Sequence, residues 1–470
     1  MEMVPNLHLA AHLPRIHSRW VHLLDRSSSR TQPRTRFPMK PQRRISNEAQ
    51  STNLLSSLPT TRNFLRLYCS KLDCRTPALS MRPPPLSAEP FTRCLQIAEL
   101  AGIPAVDEGS NFVFSPLSLV AALSLTASGA RGETLRELLS FLGSPNLDHL
   151  HSASARLTQA VRADDRELIL SFVNGAWVDG SMAVNPSFVA VAASVYDAAI
   201  ELVDFIHRAS QEQKKINNWI EKKTNGIIKN LIPVGKINSI TRLILANALY
   251  FKGKWKDKFD NSMTKTDKFY LLNGSTIHAS FMSSREKQFI SSYNGFKVLK
   301  LPYKKVGDGR DSRSLSMLLF LPNERNGLHD LIRRIVSTPN FVQEHVPHRR
   351  VYAVRFMVPK FKISFNFDAS DVLKQLGLKS IFGSSSADLG GICLESSRVE
   401  PLFVSNILHM ASVEVDEEGT TAAATTVIIG LGSCYTPPVD FVADHPFIFV
   451  VREDKTGSIL FFGHVVNPSI

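Results

Sequence analysis

A chain of 470 residues that is 43% hydrophobic and 21% charged has the balance of a soluble globular protein. It has no apolar run of the roughly 18–20 residues that a membrane helix needs, so no membrane association is expected. The formal net charge of +13 invites a nucleic-acid reading. However, residues 1–85 carry fourteen Lys and Arg against four acids, leaving only +3 for everything after them. The body shows no basic stripe interleaved with aromatics, so no nucleic-acid partner is expected.

Residues 1–85 are rich in Arg, Ser and Pro, poor in acids, and lack the apolar core of a secretory signal. Three readings stand side by side: an organelle transit segment, a disordered basic tail, or upstream sequence ahead of a start at Met81. The expected compartment is therefore cytosolic or organellar. The five cysteines, Cys69, Cys74, Cys94, Cys393 and Cys434, include no C-x-x-C pair, so no disulfide framework is expected.

One domain is expected over 86–470. Residues 89–102 space Phe91, Leu95, Ile97, Leu100 and Ala101 as an amphipathic helix. A short strand over 111–114 leads through Ser115-Pro116, a helix start with proline in its first turn, into a helix over 117–128. That helix is apolar almost all round and should be central. Gly129 and Gly132 end it, and 133–142 continues as another helix. Residues 167–178 read as a strand. Over 210–233, Ile216, Trp219, Ile220, Ile227 and Leu231 fall on one helix face, interrupted at Asn225-Gly226. The run from 242 is the pattern of a strand buried on both faces. Further strands are expected at 296–301, 316–321, 351–363 and 407–415, with helices at 328–336 and 369–376. Helices mostly first and strands mostly last suggest α+β with large mixed sheets.

The stretch over 417–434, EEGTTAAATTVIIGLGSC, carries no charge after Glu418. Its Thr, Val and Ile favour a strand. Its close, Gly430, Gly432, Ser433, Cys434 and then Pro437-Pro438, is that of an exposed loop. Catalytic signatures are missing. Ser433 lacks the flanking glycines of G-x-S-x-G, there is no H-E-x-x-H or phosphate-loop pattern, and no metal or cofactor is implied. A Ser433–His445–Asp444 hydrolase is conceivable only if two adjacent side chains converge on one site. His278, His409 and His445 otherwise read as single structural residues.

Several separated motifs together resemble the serpins, most closely plant serpins of the Z type. These are NFVFSPLSL, INNWIEKKTNGIIKNLIP, ANALYFKGKW, EVDEEGTTAAATT and DFVADHPFIFVVREDKTGSILFFGHVVNP, in family order and spacing. The resemblance covers 89–470. It implies a serpin fold with about nine helices and a reactive-centre loop at about 417–438. It implies a monomeric, non-enzymatic inhibitor that traps a target protease of serine type, with the cysteine type also open, as a covalent complex. Extracellular residence is also compatible with the family. A non-inhibitory carrier of the same fold is the alternative.

Carried over residue by residue, the resemblance places Ser115, Ser118, Asn247 and His409 in a polar cluster under the main sheet, the shutter. It puts Trp255 where the sheet opens first, the breach, and Thr224 and Gly226 on the crossing helix. The hinge becomes Glu417, Glu418, Gly419, Thr420, Thr421, Ala422, Ala423 and Ala424, and the reactive bond Ser433–Cys434, subject to a shift of one or two residues. Trapping requires the cut loop to enter the main sheet as a strand. About 15 residues at ~3.3 Å each would span ~50 Å. Alternate positions from Thr420, namely Ala422, Ala424, Thr426, Ile428, Gly430 and Gly432, are uncharged, as burial demands. Thr421 departs from the glutamate common in the family, at a position that should face outward. The Gly-Ser-Cys tip lacks Arg and Lys, which argues against trypsin-like targets and favours elastase-like or broad-specificity ones.

Overall fold

Apolar patterning and local caps account for most of the elements in the computed structural model, which describes residues 93–161, 168–305, 307, 312–394, 401–418 and 439–470. The leader, hinge residues 419–424 and the Ser433–Cys434 bond lie outside the described residues.

The first helix runs past Gly102. A π-helical stretch, Ala98–Gly102, leads into α1, Ile103–Asp107. The register change falls just before Pro104, which has no N–H to give the α-helical ladder. After β1 (Phe112–Phe114), the Ser115 hydroxyl accepts the Ser118 amide proton and Pro116 fills the first turn of α2 (Pro116–Gly129). This is the expected central helix, and among its residues only Ser128 escapes full burial. Then follow α3 (Gly132–Phe141), α4 (Leu147–Val161), β2 (Leu168–Asp179), α5 (Pro186–Tyr196) and β3 (Ala198–Val203).

Helix α6 (Phe205–Lys223) starts and stops earlier than the hydrophobic spacing suggests. Asn225 and Gly226 have φ of 51° and 79°, left-handed values that end a helix rather than interrupt it. Ile227 is accordingly half exposed instead of lining a helix face. Thr224 caps the helix end and Gly226 lies beyond it. Next come β4 (Leu243–Gly253), β5 (Lys265–Tyr270), β6 (Thr276–Met282), β7 (Gln288–Tyr293), β8 (Phe296–Pro302) and β9 (Leu315–Pro322). Helices α7 (Leu328–Ser337) and α8 (Phe341–Glu344) precede β10 (Arg350–Val351).

The single strand expected over 351–363 is divided among three sheets: Val351 ends β10, and the rest forms β11 (Ala353–Pro359) and β12 (Phe361–Asp368). Pro359 cannot donate to a ladder, and the chain changes sheets at Lys360, whose amide bonds Ser280 O instead. Helix α9 (Ser370–Gln375), β13 (Asn406–Val415), β14 (Val439–Val442), β15 (Phe447–Glu453) and β16 (Ile459–Val465) complete the described elements.

Among the described residues this makes nine α-helices and three sheets, an α+β fold. The sheet orders are β12-β13-β4-β2-β3, β1-β16-β15-β9-β8-β7-β10 and β14-β11-β6-β5. One large apolar core packs the helices against the inner faces of the first two sheets, and a second lies between the sheets around Phe251, Phe281 and Phe449. A smaller one holds Ile216 and Ile220 of α6 against Trp177, Ile244 and Leu408. Helix α6 therefore lies across β2, β4 and β13.

Candidate functional site

In the five-stranded sheet, β13 and β4 run parallel, in register from Asn406 opposite Ile244 to Val413 opposite Phe251. Their outer neighbours, β12 and β2, are antiparallel to them. Parallel ladders are slightly weaker per residue than antiparallel ones. The chain leaves the end of β13 directly into 417–438. A segment folding back from there would run antiparallel to both strands at once. Entering the seam, it would replace one parallel ladder with two antiparallel ones.

Four residues named from the sequence meet under the middle of this seam. His409 on β13 stands opposite Asn247 on β4, with His409 Nδ1 2.5 Å from Asn247 Oδ1. The Ser115 amide donates to His409 Nε2 at 3.0 Å, so Nε2 is unprotonated and Nδ1–H donates to Asn247. Asn247 Nδ2 in turn donates to Ser118 O at 3.0 Å, and the Ser118 amide donates to Ser115 Oγ. All four are buried. Desolvation pushes the His409 ring down to about 3, in keeping with the neutral form that this bonding requires. One side-chain hydrogen bond thus staples the two strands. A strand entering between them would move its partners about 5 Å further apart and break it.

The upper end of the seam is held differently. The Trp255 indole, buried just beyond β4, donates Nε1–H to Asp416 O at 2.8 Å and stacks on Tyr303 with centroids 4.4 Å apart. Beside it, Lys252 at the end of β4 reaches across to β13. Its Nζ lies 2.6 Å from Glu414 Oε1 and 2.8 Å from Asp416 Oδ2. Desolvation disfavours the Lys252 ammonium, but the two carboxylates outweigh it and raise its pKa. Glu414 also pairs with Lys362 of β12 at 3.1 Å. Desolvation opposes its ionisation, yet the two lysines hold it below the usual carboxylate range.

Glu417 is likewise anchored, by Lys360 at 2.7 Å and by the Thr264 hydroxyl at 2.8 Å. These bonds outweigh desolvation and lower its pKa. So Glu417, grouped with the hinge from the sequence, is a nearly buried anchor at the loop's root, whereas Glu418 is exposed. Sequence reasoning missed Lys252, Glu414, Asp416, Lys360 and Thr264. The available signal was opposite charges at the ends of two otherwise apolar strand runs.

On the outer face, Asn217 and Gln213 of α6 bond the Ile232 backbone. Asn366 of β12 bonds Leu231 O, and Lys236 pairs with Asp368. The helix and its return segment thereby straddle the seam from the β2 side to β12. Thr224 is fully buried and its hydroxyl accepts from the Ile228 amide, pinning that turn.

The hydrolase arrangement fails on its histidine. His445 Nδ1 does meet Asp444 Oδ1 at 2.7 Å, but Nε2 lies 2.8 Å from Pro322 O. A carbonyl only accepts, so Nε2 holds its proton and cannot take one from a serine. Cys94 is buried, and desolvation raises its thiol to about 12, which makes it inert.

Comparison with known proteins agrees with this geometry. The family described as Serpin (serine protease inhibitor) matches residues 100–468. Serpin-ZX of Arabidopsis thaliana is 46% identical over 372 residues, covering 78% of this chain and 94% of that protein. Serpin-ZXA of Oryza sativa subsp. japonica is 47% identical, covering 78% and 92%. The solved structure of Arabidopsis AtSerpin1 in its native stressed conformation superposes with a TM-score of 0.75 at 43% identity. It covers 82% of this chain and 98% of that one. Uncleaved ovalbumin, at 23% identity and a TM-score of 0.69, shares the fold.

Proposed function

The chain belongs to the serpin family, as a plant Z-type member that inhibits proteases rather than acting as an enzyme, and we propose that 417–438 is its bait and the β4/β13 seam its trap. In this reading 86–470 is one monomeric domain. A target protease attacks the Ser433 carbonyl, the bond to the Cys434 nitrogen breaks, and the new amine takes a proton. The acyl group remains on the protease, as an ester on a serine or a thioester on a cysteine. The released segment then enters the seam from the hinge, Gly419 to Ala424, and carries the protease with it before water can free it.

The observation that carries this reading is the parallel pairing of β13 with β4, the strand arrangement that a returning segment can complete on both sides. For a seam of eight paired residues, one additional ladder is worth on the order of 8 kcal/mol at about 1 kcal/mol per hydrogen bond. That is comparable with the stability of a whole domain and enough to drive the change. The small tip at Ser433 suits proteases that accept small residues, elastase-like ones first.

The test is to mix the protein with a panel of serine and cysteine proteases and run the products in hot detergent. A band at the summed mass, together with release of a peptide beginning at Cys434, is expected. Clipping at the loop without a covalent band from any protease would overturn the reading and leave a carrier of the same fold.

A further inference from the structure

The body's small net charge conceals a concentrated basic surface. Segments 254–258, 303–305 and 348–355 hold eight Lys and Arg against one acid, Asp257. They are contiguous in space. Trp255 bridges to Tyr303, the Lys256 amide bonds Pro302 O, and Arg350 pairs with Asp257. Lys256, Lys305, Arg349 and Arg355 are exposed and make no ion pair among the described residues. Two nearby acids are committed to other lysines, Asp416 to Lys252 and Glu417 to Lys360, while Asp440 accepts from the Arg355 amide and keeps its charge at the edge of the patch. Asp260, beside Lys258, and Glu286 and Glu418 remain as exposed acids at the margin.

The position of this surface is informative. Trp255, between Lys254 and Lys256, holds the chain where it leaves β13. Ala353, between Arg350 and Arg355, pairs with Val439 where the chain returns. The basic rim therefore borders both roots of 417–438, and a macromolecule that docks on that segment must come down beside it.

We propose that this rim is a docking surface for a protease whose active-site cleft is bordered by acidic side chains, and that it speeds encounter without taking part in trapping. The proposal rests on the inhibitory reading above. Oppositely charged surfaces raise association rates by 10–1000-fold at low salt, and trapping depends on how often the loop is presented. A nucleic acid fits less well. Tyr352, the exposed aromatic of the patch, already carries Lys287 over one face at 4.7 Å, and one ring is not the series of aromatics on which successive bases stack.

The experiment compares the wild type with the charge reversal K256E/R349E/R355E and the neutral K256Q/R349Q/R355Q, after melting curves show all three folded. Rates of covalent-complex formation are measured from ~20 to ~500 mM salt, a range that collapses surface fields. Two proteases of the same cleavage preference are used, one with an acidic rim and one without. With the acidic protease, the reversal should slow complex formation at low salt by about tenfold or more, the neutral variant by less, and all three should converge at high salt. Inhibitor consumed per protease should not change, and the neutral-rimmed protease should not distinguish them. Superimposable rates at every salt would overturn the proposal. So would unchanged protease rates combined with weakened binding to dextran sulfate, which would mark a polyanion site instead. Failure of the inhibitory reading looks different: the wild type would give no covalent band at any salt.

Discussion

Replacing Lys252 by methionine keeps the aliphatic stem and removes the ammonium that ties β4 to both Glu414 of β13 and Asp416 just beyond its end. The lysine side chain is 26% exposed, so the pair is worth more than an open surface bridge and less than a buried one. A cost of about 1–2 kcal/mol to the closed sheet is reasonable. Once a strand occupies the seam, Lys252 and its partners stand roughly 10 Å apart and little remains to lose. The substitution therefore raises the closed state relative to the inserted one, and should speed spontaneous heat-driven insertion by about 5–30-fold. The assay is the appearance, at a fixed sub-denaturing temperature, of a form resistant to melting and no longer able to trap protease. Lys362→Met is the control. It also pairs with Glu414, at 3.1 Å, but from β12, which stays beside β13 during opening. If both variants accelerate insertion equally, or neither does, the charge bridge across the seam is not what holds it shut.

Four further outcomes follow from the same contacts. Buried His409 and His464 are held neutral down to about pH 3 by desolvation, whereas an unfolded histidine protonates near 6.5. Stability should thus be complete above about pH 6.5 and fall as the pH drops, by up to ~1.4 kcal/mol per pH unit for each ring. Urea midpoints that stay flat between pH 7 and pH 5, above the carboxylate range, would contradict this. Trp255→Phe keeps an aromatic on Tyr303 but loses the bond to Asp416 O; differential calorimetry should show a loss of about 1 kcal/mol. Gly463→Ala would drive a Cβ into the Phe112 carbonyl and the Phe449 ring, and chemical denaturation should report a loss of at least ~1–3 kcal/mol. Ala424→Arg puts a charge on the inserted face of the bait. Protease mixing should then give cleaved inhibitor and free protease in place of the covalent band.

How far the sequence could be read depended on whether the signal was local. The helix of 117–128 and the strand beginning near 243 are apolar on every face, so burial alone defines them, and both lie where expected. The shutter residues were legible only through family resemblance. Nothing in the spacing of Ser115, Asn247 and His409 shows that β13 lies beside β4 in the register that joins them. For the same reason Lys252 and Glu414 escaped notice, since their pairing depends on a cross-strand register spanning more than 160 residues. Pro359 is a local stop signal, yet apolar spacing on either side of it reads as one strand over 351–363. Asn225-Gly226 is legible as an interruption of the 210–233 pattern, but the apolar residues after it suggest a resumed helix where the helix in fact ends.

The central claim is that the segment leaving β13 becomes the missing strand between β13 and β4. Melting temperature before and after a single proteolytic cut within 425–434 tests it most directly. Cleavage should raise the melting point sharply, because new ladders form on both sides of the inserted strand. A cut protein that melts at or below the temperature of the intact one would contradict the claim.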